Sequence, residues 1–96
     1  MRALALALVL LIVMGCTAQN RGGAAVDQNE VAARAIELGT AYLRQGDYGR
    51  AKDNLMKALA IDDQSAPAHH TLAIVFQQER EFELAESYFR RAIALA

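Results

Sequence analysis

Cys16 is the only thiol in this 96-residue chain, and it follows directly on an unbroken apolar run. A thiol can serve as nucleophile, metal ligand, disulfide half or acylation point, and each role needs its own neighbours. No second cysteine is present to pair with it. The other candidates for chemistry are His69 and His70, Asp62 and Asp63, and Glu86 with Arg90. Adjacent residues on a helix point about 100° apart, so the two histidines do not readily grip one metal ion. Position 69 falls at a large inward residue of the pattern described below, which favours a packed or half-buried ring. The aspartates sit in a polar turn, and Glu86 and Arg90, four apart, suit a solvent-facing ion pair. Nothing assembles a nucleophile, a base and an oxyanion site. The residues predict no enzyme, no metal site, no cofactor and no small-molecule substrate.

The surroundings of Cys16 supply its chemistry. Residues 1–15 comprise Met1, the cation Arg2, twelve apolar residues from Ala3 to Met14, and Gly15. As a helix the apolar run covers about 18 Å, well short of a hydrocarbon core about 30 Å thick. That length, behind a positive start, is the pattern of an export signal. Val13-Met14-Gly15-Cys16 resembles the lipobox of bacterial lipoproteins, in which the cysteine is acylated and becomes the mature N-terminus. A thioether to diacylglycerol would remove a thiol otherwise prone to stray disulfides, and two or more acyl chains anchor stably where one is marginal. The resemblance also implies outer-membrane sorting, because Thr17 stands where an aspartate would mark inner-membrane retention. An uncleaved inner-membrane anchor is the weaker alternative. Residues 17–26 are small and polar, without periodicity, and read as a tether with a reach of about 20 Å. With 10 Lys+Arg against 11 Asp+Glu, charge gives no nucleic-acid footprint and no acidic tail.

Beyond the tether the chain repeats itself. Leu38, Gly39, Tyr42, Ala51, Leu55 and Ala58 recur thirty-four residues later as Leu72, Ala73, Phe76, Ala85, Phe89 and Ala92, and these are the expected packing positions of the repeat. Tyr48 recurs as Phe82, Leu59 as Ile93, and Ile61 as Leu95. Period and residue types resemble the tetratricopeptide repeat, a helix–turn–helix unit of that length. The alanines allow two helices to approach closely, and the aromatics Tyr42, Tyr48, Phe76 and Phe82 are expected to fill the space between them. The expected fold is therefore all-α, two tetratricopeptide-repeat hairpins of an α-solenoid. The divisions are a signal segment over 1–15, lipidated Cys16 and tether over 16–27, a first repeat over 28–64 and a second over 65–96.

Caps set the helix limits. Asp27 and Glu30 have capping-box spacing, and Val26 and Val31 have that of a hydrophobic staple, which starts the first helix near residue 28. Gly46 can close it just after Gln45. Asp47 can cap a second helix running to about Ile61. Ser65 caps the third, over 66–79, with Pro67 tolerated in its first turn, and the fourth covers 82–95. Arg80 takes the place that Gly46 holds in the first repeat, so a left-handed conformation there would cost about 1 kcal/mol and the second turn can differ from the first. Two units are few for a solenoid. Phe89, Ile93 and Leu95 would meet a following helix, so either the array continues or a partner covers this end.

Stacked repeats present a groove lined by the first helix of each pair. Here it should include Ala33, Ile36, Thr40, Leu43 and Arg44, then Pro67, His70, Ile74, Gln77 and Gln78. Ile36, Leu43 and Ile74 make it apolar enough for an amphipathic helix or an apolar peptide. Arg44 alone is a poor clamp for a terminal carboxylate. Each of these side chains can equally be packed against the neighbouring repeat.

Leader, tether and repeats together resemble the type IV pilus biogenesis and stability lipoproteins, pilotin-type proteins built from tetratricopeptide repeats. "LGTAYLRQGDYGRAKDNLMKAL" is generic to the repeat, whereas "APAHHTLAIVFQQEREFELAESYFRRAIAL" resembles the second repeat of that family. The resemblance implies an adaptor held by Cys16 on the periplasmic face of the outer membrane. Its partner would be the outer-membrane secretin or another pilus-assembly protein, and its task helping the secretin to localise and multimerise. The alternative is a periplasmic scaffold for another envelope or export complex.

Overall fold

A computed structural model of the protein describes residues 26–96. The leader, Cys16 and the tether up to residue 25 lie outside the described residues. Four helices follow one another: α1 (Gln28–Arg44), α2 (Tyr48–Ile61), α3 (Ala66–Gln78) and α4 (Phe82–Leu95). None of the described helices is long and apolar enough to cross a membrane.

Each boundary has a local cause. The Asp27 carboxylate accepts from the Asn29 backbone N–H at 3.0 Å, Asp47 from that of Arg50 at 3.2 Å and the Ser65 hydroxyl from that of Ala68 at 3.3 Å, so three helices begin on side-chain caps. Only half of the expected capping box forms. Glu30 turns instead to Arg34, 3.0 Å away, and Val26 stays exposed rather than stapling the helix to Val31. At their C-termini α1 and α3 close in the same way. Gly46 and Arg80 are both left-handed, at φ 76° and 64°. In the first turn the Asp47 N–H reaches Tyr42 O at 2.9 Å, and in the second the Glu81 N–H reaches Phe76 O at 2.8 Å. Arg80 thus adopts the strained geometry that a glycine would take freely, and the second turn does not differ from the first.

Packing is between neighbours: α1 against α2, α3 against α4, α2 against α3, with α1 also touching α3. That is the contact pattern of a solenoid, in which each unit meets only the next. Alanines sit where helices cross. Ala35, Ala58 and Ala68 bring α1, α2 and α3 together in one cluster. Ala51, Leu55, Leu72, Val75, Phe76 and Ala85 form the larger one, flanked by half-buried Tyr42, Tyr48, Tyr88 and Phe89. Ala73 and Ala92 are buried as well. Gly39 is buried for want of room: a methyl there would lie 2.6 Å from Leu55 Cγ and 3.2 Å from the Ala51 carbonyl oxygen.

Equivalent positions of the two repeats differ in exposure, and this corrects two expectations. Leu38 was expected to pack as Leu72 does, yet it is 51% exposed while Leu72 is fully buried. Leu72 joins the cluster containing Ala51 and Leu55 of α2, whereas no described residue lies on the corresponding side of α1. Phe82 was expected to fill space between helices, yet it is 59% exposed, while Tyr48 packs against the main cluster. Tyr48 has the second repeat beside it, and Phe82 has no described helix beyond it. Ile93 is 76% exposed for the same reason, where its counterpart Leu59 is packed.

Candidate partner-binding surface

The groove residues lie on α1 and α3, which touch, but they are not equally free. Ile36 is half-buried and packs against both core clusters, and Leu43 packs against the larger one. Thr40 donates its hydroxyl to the Ile36 carbonyl at 2.8 Å, so its polar atom faces its own helix. Ile74 is half-buried. His70 is exposed, but its ring meets Phe89 edge-on at 5.6 Å between centroids. Arg44, Gln77 and Gln78 are exposed at the C-terminal ends of the two helices, and Ala33 and Pro67 are exposed nearer the N-terminal ends. The surface therefore has polar, reachable ends and a middle whose apolar side chains already serve the core.

One element of the arrangement was not anticipated. Lys52 of α2 places its Nζ 2.9 Å from one oxygen of Glu79 and 3.0 Å from the other, and 5.8 Å from the centre of the Phe76 ring. This pair joins the two repeats beside their shared core. Its partners are twenty-seven residues apart, a spacing that belongs to neither the helix nor the repeat, so no sequence pattern reveals it.

His69 is half-buried, as its place in the repeat suggested. Its Nε2 donates to the Asp63 carbonyl at 2.9 Å, its ring lies 5.8 Å from Tyr88, and Tyr88 in turn stacks on Phe76 at 5.2 Å. The ring therefore ties the inter-repeat turn to α4. Asp62 accepts from the Gln64 backbone N–H at 3.0 Å and serves the turn itself. Glu86 and Arg90 pair at 2.6 Å in solvent, a contact worth little to stability. Among the described residues no group of three His, Cys, Asp or Glu side chains is placed to hold a metal ion.

Two helical hairpins built from helices of 13 to 17 residues, with alanines at the crossings and contacts confined to neighbouring units, define a repeat protein of the helical-hairpin class. The family model for the tetratricopeptide repeat matches residues 35–65 and again 66–96, and the chain belongs to that family. Within it, the chain is similar to the type IV pilus assembly protein PilF of Pseudomonas aeruginosa, with 42% identity over 92% of this chain and 37% of the relative. A solved structure from a functional characterisation of Pseudomonas aeruginosa PilF superimposes with a TM-score of 0.69 at 46% identity, covering 71% of this chain and 31% of that one. The chain thus spans little more than a third of the length of the relative it matches.

Proposed function

We propose that this chain is an outer-membrane-anchored adaptor of type IV pilus biogenesis. Acyl chains on Cys16 hold it at the periplasmic face, and the surface formed by α1 and α3 takes a segment of the secretin subunit, helping that subunit to localise and multimerise. The observation that carries the reading is the 42% identity to a type IV pilus assembly protein across nearly the whole chain. The geometry adds a repeat surface with polar, exposed ends, suited to holding a polypeptide. The chemistry of Cys16 behind an export signal adds a means of attachment.

The test uses side chains that the core does not need. Ile36 supports both clusters and would confound the result, whereas Arg44 and Gln77 are exposed. The full chain and its Arg44→Glu/Gln77→Glu variant are compared for capture of the purified secretin subunit, with circular dichroism confirming equal helix content. Capture by the native chain and loss of about tenfold or more in the variant supports the groove, since a tenfold change corresponds to about 1.4 kcal/mol. Absence of capture by either protein removes the adaptor reading. Incorporation of labelled fatty acid by the native chain, abolished by Cys16→Ser, tests the anchor separately.

A further inference from the structure

Ser87, Tyr88 and Arg91 of α4 line, with His69 of α3, a notch of about 190 Å³. It does not belong to the groove formed by α1 and α3. His69 and His70 are neighbours on one helix, so their side chains leave it about 100° apart, and the groove takes His70. On α4, Ser87 and Tyr88 stand four and three residues before Arg91, which puts all three on one face.

The walls of the notch are apolar and its edge is cationic. The His69 and Tyr88 rings lie 5.8 Å apart, tilted by 34°. His69 has no donor left for a ligand, because Nε2 is spent on the Asp63 carbonyl and Nδ1 is buried without a hydrogen-bond partner. Arg90 is answered by Glu86, whereas Arg91 enters none of the ion pairs among the described residues. Ser87 adds an exposed hydroxyl. No carboxylate lines the notch, and the nearby Asp63 side chain meets Gln64 at 3.3 Å instead.

Two comparisons within the chain set this place apart. Arg80 also lines a cavity, but it shares it with Glu81 and Glu83, whose negative charges would repel an anion. One repeat earlier, His69, Ser87, Tyr88 and Arg91 become Ala35, Asp53, Asn54 and Lys57. There the ring is missing and a carboxylate stands where Ser87 does. The first unit thus carries its own acid beside the cation, and the second does not.

We propose that the notch between α3 and α4 is a binding site for a single carboxylate on a short aliphatic stem. The stem lies against the His69 and Tyr88 rings, and the carboxylate oxygens accept from the Arg91 guanidinium and the Ser87 hydroxyl. One guanidinium balances one carboxylate, whereas a phosphate group carries a charge of about −2. The volume also calls for a small group, since sites for drug-sized molecules occupy about 300–1,000 Å³. Two sources share this chemistry: a glutamate side chain of a polypeptide and a free short-chain acid. Because the notch lies off the α1 and α3 surface, the site stands whether or not a secretin segment binds there.

The test is an NMR titration of the full chain in non-ionic detergent at constant ionic strength, followed through the Arg91 Nε–H and the Tyr88 ring signals. The probes are N-acetylglutamate α-amide, its glutamine analogue and propionate. The glutamate probe should half-saturate at a concentration about tenfold or more below that of the glutamine analogue. Arg91→Gln should abolish this preference, read on the Tyr88 ring, and Ser87→Asp, which restores the acid of the first repeat, should do the same. Arg90→Gln, which removes an equal charge one residue away, should leave it intact. Whichever of propionate and the glutamate probe binds more tightly identifies the source, and either supports the site. Equal response to the glutamate and glutamine probes would overturn the proposal. So would a preference that survives Arg91→Gln, or one that Arg90→Gln weakens as much.

Discussion

Gly39 offers the sharpest test of the packing, because two effects of known size oppose each other there. Replacing it with alanine in mid-helix should stabilise α1 by about 1 kcal/mol through backbone entropy. The added methyl would lie 2.6 Å from Leu55 Cγ and 3.0 Å from Cδ2, closer than side chains tolerate, and the Ala51 carbonyl oxygen at 3.2 Å blocks retreat. Leu55 is fully buried, and close-packed interiors give way only at a cost, so overpacking of about 1–3 kcal/mol follows. The balance is a net loss of about 1 kcal/mol, seen as a fall of about 4–8 °C in thermal midpoint by circular dichroism. The double-mutant cycle decides the cause. Leu55→Ala alone should cost about 2–5 kcal/mol, but it removes the obstructing atoms, so in that background Gly39→Ala should stabilise by about 1 kcal/mol. Measuring all four proteins in the same concentration of trimethylamine oxide keeps the weakest folded. If Gly39→Ala raises stability with Leu55 in place, or acts equally in both backgrounds, the close approach of α1 and α2 is not what makes glycine necessary.

Leu72→Ala should cost about 2–5 kcal/mol in chemical denaturation, while Leu38→Ala, at the same repeat position but half exposed, should cost under about 1 kcal/mol; equal losses would refute the difference in cover. Arg80→Gly should raise the midpoint, since the strain relieved at φ 64° is about 1–2 kcal/mol against a smaller entropic penalty, and Gly46→Ala should lower it although no atom lies within 4 Å of the added methyl. Lys52→Met and Glu79→Gln should show a coupling of about 1 kcal/mol in a double-mutant cycle that shrinks in high salt, because the pair is only 32% and 26% exposed; a coupling of zero would assign the joint between repeats to apolar contact alone.

Much of the architecture was legible before any coordinates, for physical reasons that particular residues display. Period and alanine placement are properties of the chain itself: two helices can approach at Ala51, Ala58, Ala85 and Ala92 only because nothing larger is there. Caps are equally local, and Asp47, Ser65 and Gly46 act on atoms a few residues away. The alignment of Arg80 with Gly46 left open whether the second turn would match the first, and only the fold shows Arg80 left-handed at φ 64°. Tertiary structure alone decided which copy of a repeated residue is covered. Leu38 and Leu72 are the same amino acid at the same place in the repeat, and only the presence of a neighbouring helix separates exposed from buried. The groove shows the same limit, for Ile36 belongs partly to the core and Thr40 spends its hydroxyl on its own helix. The Lys52–Glu79 bridge likewise exists only once α2 and α3 are set side by side. Local conformation depends on bonds reaching a few residues, whereas burial depends on whatever happens to stand across the gap.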